Sequence, residues 1–542
     1  MVSLLRVVVA SAVALLAFAQ PATPLKTTQV QTSLKNAPSV KVHVTLKRKS
    51  MKLHSHSEFD VYATPVVSVN SASVLYDGYA TFVDEDKKIT YSLVKGAAYL
   101  STKDGDNSEA VRCLPPNTLP FDKILPALNG AAPIPSASIG EKTFDCESGK
   151  LLKTTFSGAH FAICSSGKSG FTAVSSDLAI NVTYLDDPIT IPQPDLTDGT
   201  TSCEPLESAT SMTPTALTLA TGGALPSTSS RKLKEAAHMA MEPAECGECL
   251  STPRPCIFLH GMGNPNEEPT LQDTPKLTKR KFGDIHGHAP CCSEIKYAVV
   301  NTRDAGWRND TLQQKFCDFS LQMSETSDVA AGIIDNTIVV THSMGGLVVA
   351  GALAKGKCKF SKTTSWVALS APMTGSMASD FLMDICNSEK GEIATSLFEL
   401  VGQCPTVKAR KSTIYQGEKY STPSIDAAYV AAQEAYRGNV SAAMCSDNFF
   451  GLFSSYSPRC ILEGTVIPHK SKKNDALVEF QSCLGGLDEA LFGTHYLDRF
   501  YKPQLNHADT AFLNGDGLFK DSQKPMKWFE CLSLDAYQKH RN

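Results

Sequence analysis

Continuous apolar runs in the second half of the chain constrain its fold most strongly. Stretches of helix-like composition separate them, and the runs are "CIFLHG", "IKYAVVN", "TIVVTHS", "SWVALSAP" and "RCILEGTV". A strand with no polar face must be buried on both sides, as in a parallel sheet covered by helices. We therefore predict an α/β fold with a doubly wound, mostly parallel sheet over residues 255–542, including a strand at 460–466.

Residues 20–196 follow a different period. In "KVHVTLKR" apolar residues alternate with polar ones, and "YATFV", "ITYSLV" and "AAYLST" follow at short spacing. Turn-forming pairs such as Asp77-Gly78 and Asp104-Gly105 interrupt the runs. This pattern predicts a separate N-terminal domain of antiparallel β-strands.

Between these regions, residues 197–254 are rich in Thr, Ser, Pro and Gly and lack periodicity. Such a composition is typical of an exposed linker with few tertiary contacts. We accordingly expect the two domains to fold separately.

The first nineteen residues predict secretion. Arg6 precedes a short apolar stretch that ends in the A-x-A triplet before Gln20, which is typical of a cleaved signal peptide over 1–19. In an oxidising compartment, most of the 17 cysteines are expected to form disulfides, and the odd count leaves at least one unpaired. Three sequons, at Asn181, Asn309 and Asn439, are candidate glycosylation sites.

Charge and hydropathy exclude some partners. The net charge is −4, with 51 basic and 55 acidic residues, so no broad positive field would attract nucleic acid. No stretch after the signal peptide is long and apolar enough for a transmembrane span. We expect a secreted protein without such a span.

A strand, the pattern x-x-S-x-G and then a helix surround Ser343. This arrangement is typical of a nucleophile elbow, a sharp turn that lifts a serine hydroxyl above the sheet. Gly345 provides room for the helix to approach the strand, although Thr341 stands where glycine is commonest. The alternative is that Ser343 only caps the helix.

A second glycine-containing turn could serve the same reaction. The strand in "CIFLHGMGN" ends at His260 and Gly261. Acyl transfer passes through an oxyanion that needs preorganised donors, and backbone N–H groups meet that need. We predict an oxyanion hole formed by the N–H groups of Met262 and Met344.

Together, "FLHGMGN", "THSMGG" and "LSAPMTGS" resemble the α/β-hydrolase superfamily, in particular its lipases and lipid esterases. The "HGMG" stretch is also similar to that of palmitoyl-protein thioesterases. The resemblance covers about residues 255–520 and implies an acid and then a histidine downstream of the nucleophile.

The acid and the base follow from that order. Asp475, in "KKNDALVEF", resembles the acid of lipases, whereas Asp488 and Asp426 have weaker contexts. His507, in "LNHADTAF", resembles the loop that carries the base, and His495 is the rival. In these roles His507 would take the proton of Ser343, and Asp475 would orient the imidazole.

Almost ninety residues lie between the predicted strand that ends at Pro372 and the predicted strand that begins near Cys460, which predicts a cap or lid insertion at about 373–459. Its apolar stretches, such as Phe449 to Phe453, would suit an acyl chain or equally the core of the lid itself.

Cysteine-rich motifs elsewhere could suggest a metal. His286 and His288 precede Cys291 and Cys292, and a CxxC pair begins at Cys246. In a secreted chain, structural disulfides are the favoured interpretation of both motifs. We expect neither a metal nor a cofactor.

The sequence therefore predicts a secreted serine esterase that acts on lipid or other apolar acyl esters, with possible contact with lipid aggregates. Thioesterase and acyltransferase activities would use the same residues. A non-catalytic lipid- or surface-binding protein on a hydrolase scaffold is the alternative from another class.

Overall fold

The computed structural model describes residues 37–535, with gaps at 55, 68–73, 85, 115–122, 149, 198, 206–211, 227–236, 242–245 and 388–403. The segment expected to be a signal peptide lies outside the described residues. The chain divides into two compact units: the first contains residues up to 48 and residues 54–244, and the second contains Lys49–Leu53 and the chain from 245 onward.

The first unit is built on an antiparallel sheet. Its eleven strands have the order β6-β5-β4-β3-β2-β1-β13-β12-β11-β10-β7, and β14-β8-β9 form a smaller sheet. The strands are β1 (Val40–Leu46), β2 (Glu58–Val67), β3 (Val74–Asp84), β4 (Lys87–Val94), β5 (Ala97–Asp104), β6 (Ala110–Cys113), β7 (Ala132–Pro133), β8 (Ala137–Ile139), β9 (Lys142–Phe144), β10 (Leu151–Phe156), β11 (Ala159–Ser165), β12 (Gly170–Val174), β13 (Leu178–Tyr184) and β14 (Met239–Met241). The predicted β-rich N-terminal region is confirmed.

One turn predicted for this unit is wrong. Asp77 and Gly78 lie inside β3, where they pair with residues of β2, and the Asp77 carboxylate accepts a hydrogen bond from the backbone N–H of Lys95. Asp104 and Gly105 do end a strand, and Gly105 has a positive φ of 54°.

The region expected to be a linker carries tertiary structure. Helix α2 (Pro214–Thr221) begins with the Thr213 hydroxyl as its N-cap, and β14 pairs in parallel with β8. A disulfide joins Cys203 to Cys113, which is at the end of β6. Sequence composition did not indicate these elements, because the contacts that stabilise them are distant along the chain.

Seven parallel strands form the sheet of the second unit, in the order β16-β15-β18-β20-β21-β23-β22. They are β15 (Arg254–Leu259), β16 (Cys292–Tyr297), β18 (Ile338–His342), β20 (Ser365–Leu369), β21 (Val440–Met444), β22 (Phe492–Gly493) and β23 (Phe500–Tyr501); β17 (Ile333–Ile334) and β19 (Lys359–Phe360) pair separately. The α/β architecture predicted for this region is confirmed at this level.

Helices connect these strands. In the first unit α1 (Ile124–Asn129) precedes α2, and the second unit contains α3 (Asp310–Leu321), α4 (Met344–Ala354), α5 (Met377–Asn387), α6 (Lys408–Ser412), α7 (Pro423–Asn439), α8 (Ser457–Val466), α9 (Phe480–Leu484) and α10 (Pro525–Glu530).

Both faces of the parallel sheet are buried. Along β18, Val339 faces one apolar cluster, which includes residues of α3, α4 and α7. Its neighbours Ile338 and Val340 face the second cluster, which includes Trp528 and Phe529 of α10. Because side chains alternate along a strand, this burial explains why the strands are continuously apolar.

Two predictions about the region after β20 are wrong. Residues 460–466, predicted as a strand, belong to helix α8, which has a proline in its first turn. The next strand of the sheet is β21, and it lies within the segment expected to form a cap. Short runs such as "CILEGTV" fit either a strand or a buried helix, and "VSAAM" carries small residues that signal neither.

Disulfides account for sixteen of the seventeen cysteines. The pairs are Cys113–Cys203, Cys146–Cys164, Cys246–Cys531, Cys249–Cys291, Cys256–Cys292, Cys317–Cys358, Cys386–Cys404 and Cys445–Cys483. Cys460 is free and buried. The expectations of disulfides and of one unpaired cysteine are confirmed, and none of the cysteines of the CxxC pair or of the Cys291-Cys292 pair bonds to its neighbour in the motif.

None of the helices in the described residues combines the length and the apolarity that a bilayer crossing requires.

Candidate active site

Ser343 occupies the turn between β18 and α4. Its φ is 56° and its ψ is −133°, a conformation that non-glycine residues adopt only when their surroundings enforce it. The backbone N–H of Ser343 donates to the carbonyl of Leu369 on β20 at 2.8 Å, which ties the turn to the sheet. The Ser343 side chain makes no capping hydrogen bond to α4, so it does not serve as an ordinary helix cap.

Glycines make this turn possible. A Cβ added at Gly345 would lie 2.7 Å from the Leu259 carbonyl oxygen, and one added at Gly261 would lie 2.6 Å from Cβ of Ser343. At Gly346 it would lie 2.6 Å from Cβ of Ala371. Any larger residue would push the helix or the neighbouring turn away from Ser343.

Thr341 is accommodated by a hydrogen bond and by a glycine. Its hydroxyl accepts a hydrogen bond from the indole N–H of Trp366 at 2.9 Å. A Cβ added at Gly346 would lie 3.5 Å from Thr341 Oγ1, so the glycine on the helix provides space on that side. This explains how a β-branched residue fits where the sequence pattern usually has glycine.

His507 links Ser343 to Asp475. Its Nδ1 lies 2.8 Å from Asp475 Oδ2, and its Nε2 lies 3.0 Å from Ser343 Oγ. Since a carboxylate only accepts hydrogen bonds, Nδ1 carries the hydrogen and Nε2 is left to accept one from the serine hydroxyl. The structure thus brings together the three residues that the sequence predicted from separate motifs.

Both carboxylate oxygens of Asp475 accept hydrogen bonds. Its Oδ1 accepts hydrogen bonds from the backbone N–H groups of Leu477 at 3.0 Å and Val478 at 2.7 Å. The backbone N–H of His507 donates to the Asp475 carbonyl at 2.8 Å. These bonds fix the carboxylate, which is buried, in the position where it orients the imidazole.

The rival residues lie in other environments. Asp488 is the N-cap of a short 3-10 helix, and Asp426 is in the first turn of α7, where it accepts from the N–H of Gly417. His495 Nε2 lies 3.5 Å from Asp521, with nearly half of its side chain exposed. None of the three makes a hydrogen bond to Ser343 or His507 in the described residues.

A buried acid supports the loop that carries His507. Asp509 Oδ2 accepts from the backbone N–H groups of Leu452 at 2.8 Å and Asn506 at 3.0 Å, and Asp509 Oδ1 accepts from the Asn514 side chain. Burial raises the pKa of this carboxyl to about 7. Asp509 was only a flanking residue in the sequence pattern, and the structure shows what it contacts.

The predicted oxyanion donors lie in suitable turns. Met344 is the first residue of α4, so its N–H has no acceptor within the helix. The Gly261 carbonyl accepts from the Thr302 hydroxyl at 2.7 Å. In a trans peptide the N–H points opposite to the carbonyl, so the N–H of Met262 points away from Thr302. A Cβ added at Gly261 would lie 2.6 Å from Cβ of Ser343, so this turn lies directly beside Ser343.

His260 and Asn264 hold that turn. His260 Nδ1 donates to the Gly261 carbonyl at 2.9 Å, and its Nε2 accepts from the Val300 N–H at 3.3 Å. Burial lowers the pKa of His260 to about 4, which is consistent with a neutral ring that both donates and accepts. Asn264 donates to His260 Nε2 and to the Val300 carbonyl. Asn264 and Thr302 carried no signal in the sequence.

The apolar stretch from Phe449 to Phe453 has two environments. Leu452 is buried in a core cluster of the unit, and Phe449 packs on Gly464 of α8. The Phe450 carbonyl accepts from the side chain of Asn506, the residue before His507. Phe450 and Phe453 are half-buried and pack edge to face. Part of this stretch therefore belongs to the core and part borders the His507 loop.

The sequons differ in exposure. Asn181 lies on β13 and is exposed, and Asn309 is the exposed N-cap of α3. Asn439 is half-buried, and its amide nitrogen donates to the Ala435 carbonyl at 2.8 Å. Glycosylation at these positions stays a prediction.

The His286 and His288 motif has other partners. His286 bonds to Asp284 at the surface, and His288 Nδ1 lies 3.4 Å from buried Glu530. Across the described residues, no group of three or more His, Cys, Asp or Glu side chains is arranged to hold a metal ion.

Comparisons with known proteins add little to this description. No protein-family model matches the chain, and no curated protein matches it. Among solved structures, the crystal structure of LprF from Mycobacterium bovis is 13% identical, covers 32% of this chain and 99% of that chain, and has a TM-score of 0.16. A similarity at this level supports neither a fold nor a function for this chain.

Proposed function

We propose that this protein is a secreted serine hydrolase of the α/β-hydrolase class that cleaves carboxylic esters through an acyl-serine intermediate. The observation that carries the proposal is the hydrogen-bonded series Ser343, His507 and Asp475, with its serine in a strained turn. A nucleophile, a base and an orienting acid within hydrogen-bond distance are what acyl transfer by serine requires.

The reaction follows from the proton positions. Ser343 Oγ attacks the ester carbonyl while its proton passes to His507 Nε2, and Asp475 stabilises the imidazolium through Nδ1–H. His507 then gives that proton to the leaving alcohol as the C–O bond breaks. Water repeats the sequence on the acyl-serine ester, and the products are the carboxylic acid, the alcohol and free Ser343.

The N–H groups of Met262 and Met344 would stabilise the negative oxygen of both tetrahedral intermediates. Thr302, His260 and Asn264 hold the turn at Met262, and the bond from Ser343 N–H to the Leu369 carbonyl holds the turn at Met344. Donors that need no reorganisation stabilise the transition state more than the ground state, and this is the source of their effect on rate.

An apolar acyl substrate is supported by the position of Phe450, whose carbonyl is bonded to the loop that carries His507, and of Phe453, which packs on Phe450. The eight disulfides support an extracellular location, because such bonds persist in oxidising compartments. Thioesterase and acyltransferase activities would employ the same three residues.

Labelling with a fluorophosphonate probe tests the proposal. The protein should be labelled, and Ser343→Ala and His507→Ala should each abolish labelling while the fold, measured by circular dichroism, is retained. Ser455→Ala, at an exposed serine of the same unit, is the matched control and should label normally. Labelling that persists in Ser343→Ala would show that another serine reacts, and no labelling of the wild-type protein would favour the non-catalytic binding protein.

A further inference from the structure

A lysine is bonded directly to the predicted oxyanion turn. Lys281 Nζ donates to the Met262 carbonyl at 2.6 Å. A Cβ added at the next residue, Gly263, would lie 3.1 Å from the same ammonium. Gly261, which lies against Ser343, directly precedes Met262 in the sequence. The ammonium of Lys281 is therefore bonded to the residue next to the one that contacts the nucleophile.

Three arginines exert an electrostatic effect on this lysine. Arg280 is its neighbour in sequence, Arg410 belongs to α6, and Arg459 belongs to α8. Burial, followed by repulsion from Arg410, Arg459 and Arg280, lowers the pKa of Lys281 to about 8. The electrostatic effects that act on Lys281 thus come from other cations, brought together from separate parts of the sequence.

Compensation by protein carboxylates is partial. Glu463, which is buried, accepts from Arg459 Nε at 2.9 Å and also attracts Arg410. Among the described residues, Glu463 is the carboxylate that attracts Arg410, and no carboxylate acts on Lys281. Burial and the nearby Arg459 both disfavour the charged form of Arg410 and lower its pKa. Lys281 and Arg410 are each partly withdrawn from solvent, and an anion bound between them would offset the cost of keeping both charged.

We infer that the ester substrate carries an anionic group, a phosphate or a carboxylate, which binds to Lys281 and Arg410 while the scissile carbonyl occupies the turn at Met262. This inference rests on the proposed hydrolase function and narrows its substrate class to acidic amphiphilic esters. A guanidinium and an ammonium suit anionic oxygens, because both donate charge-assisted hydrogen bonds. Arg280 and Arg459 raise the local positive potential that attracts such a substrate.

Two pairs of matched esters test the inference. One pair is dibutyryl glycerol phosphate and its neutral dimethyl phosphate ester, which places the charge on the alcohol. The other pair is the mono-p-nitrophenyl ester of adipic acid, which keeps one free carboxylate, and the same compound with that carboxylate converted to a methyl ester. This pair places the charge on the acyl chain. We expect kcat/KM to favour the anionic member of at least one pair by about tenfold or more, the range of one or two charge-assisted hydrogen bonds.

Substitutions then locate the preference. Arg410→Gln should reduce the ratio of kcat/KM for the anionic ester to that for the neutral ester by about tenfold. The matched control is Lys411→Gln, which removes the adjacent, exposed charge of the same helix and should leave the ratio unchanged. Arg280→Gln, at an exposed residue, should reduce the ratio less, and it provides a second measurement if Arg410→Gln does not fold.

The outcomes separate the two proposals. If the neutral esters are hydrolysed and Ser343 is labelled, but neither pair shows an anionic preference, the inference is wrong and the hydrolase proposal stands. A preference that survives in both Arg410→Gln and Arg280→Gln also overturns it. A further outcome is that added inorganic phosphate changes kcat/KM for the neutral esters while neither pair shows an anionic preference. That result would indicate that the cations bind a free anion and not a group of the substrate, and it would overturn the inference. Absence of both labelling and hydrolysis would overturn the hydrolase proposal itself.

Discussion

The imidazole rings of His342 and His507 lie against each other, with their centroids 4.7 Å apart. His342 is the last residue of β18, directly before the nucleophile, and its Nε2 lies 3.1 Å from the His507 carbonyl oxygen. Burial and the neighbouring His507 hold the pKa of His342 well below its usual range, so the ring is neutral and Nε2–H donates. The residue beside the serine therefore positions the base, although it does not touch the reacting atoms.

His342→Ala should lower kcat by about 10- to 100-fold with a smaller change in KM, because the His507 loop loses a hydrogen bond and a packing partner. His342→Gln, whose amide can donate at the position of Nε2, should recover part of the loss. The measurements are kcat and KM on a short p-nitrophenyl ester and the rate of fluorophosphonate labelling. Equal damage from both substitutions would show that the hydrogen bond has no role.

Loss of His507 or Asp475 should separate their roles. We expect His507→Ala to reduce kcat by more than about 10³-fold, similar to Ser343→Ala, and Asp475→Ala to reduce it somewhat less, because residues of a triad act as a unit. Asp488→Ala is the matched control and should retain activity. Full kcat in Asp475→Ala with loss in Asp488→Ala would mean that the acid has been assigned to the wrong residue.

Asp509 should make stability depend on pH. Its pKa is about 7 in the folded state against an ordinary value of 3.8, so the folded state retains the proton more strongly than the unfolded state. The stabilisation is complete below pH about 4 and is lost as the pH rises through about 7, by up to about 4 kcal/mol.

Asp509→Asn cannot titrate, so its free energy of unfolding should fall less between pH 5 and pH 8 than that of the wild type. Asp488→Asn, at an exposed cap, should keep the wild-type slope. Comparison of slopes cancels other titrating groups that the proteins share. Parallel curves for Asp509→Asn and the wild type would contradict the role of Asp509.

Residues 49–53 should stabilise the second unit. Met51 is fully buried, and the Ser50 carbonyl accepts from the Asp516 N–H at 2.9 Å, so a segment from early in the chain completes this unit. Met51→Ala should lower the unfolding free energy of the second unit by about 2–5 kcal/mol. Lys52→Ala, at an exposed neighbour, should have little effect.

A fragment that begins near Cys246 lacks these residues. We therefore expect it to lose fluorophosphonate labelling at a lower temperature than the full-length chain. Identical thermal profiles for the fragment and the full-length protein would show that residues 49–53 are dispensable.

Chain-length preference tests the apolar substrate. Each buried methylene contributes up to about 0.8 kcal/mol, so kcat/KM on p-nitrophenyl esters should rise from acetate to octanoate. Phe450→Ala and Phe453→Ala should flatten that rise, and Leu491→Ala, at an exposed position elsewhere, should not. Deletion of the whole stretch is unsuitable, because the N–H of Leu452 donates to Asp509. A steady fall in activity with chain length would favour an esterase for small acyl groups.

Local patterns were sufficient for part of the fold. Strand β18 is apolar on both faces because both faces are buried, and the pattern after it predicts a helix that begins next to Ser343. The turn sequences around Asp475 and His507 also carry local signals. In each turn a polar side chain accepts hydrogen bonds from backbone N–H groups only two or three residues further on. The odd number of cysteines required at least one without a partner in the same chain, although it could not identify Cys460.

Other features were decided by tertiary contacts. The segment 460–466 has strand-like composition but forms a helix, while the small residues of β21 form a strand because neighbouring strands supply its hydrogen bonds. The Cys246–Cys531 disulfide and the place of Met51 depend on residues that are hundreds of positions apart.

The same distinction holds at the site. The sequence predicts Ser343, Asp475 and His507 one by one, because each has a characteristic neighbourhood. Their hydrogen-bonded order, the support from His342 and the bond from Lys281 to the Met262 carbonyl arise only when separate strands and helices pack together. Periodicity reports which face of an element is buried, but it carries no information about which distant side chain packs there.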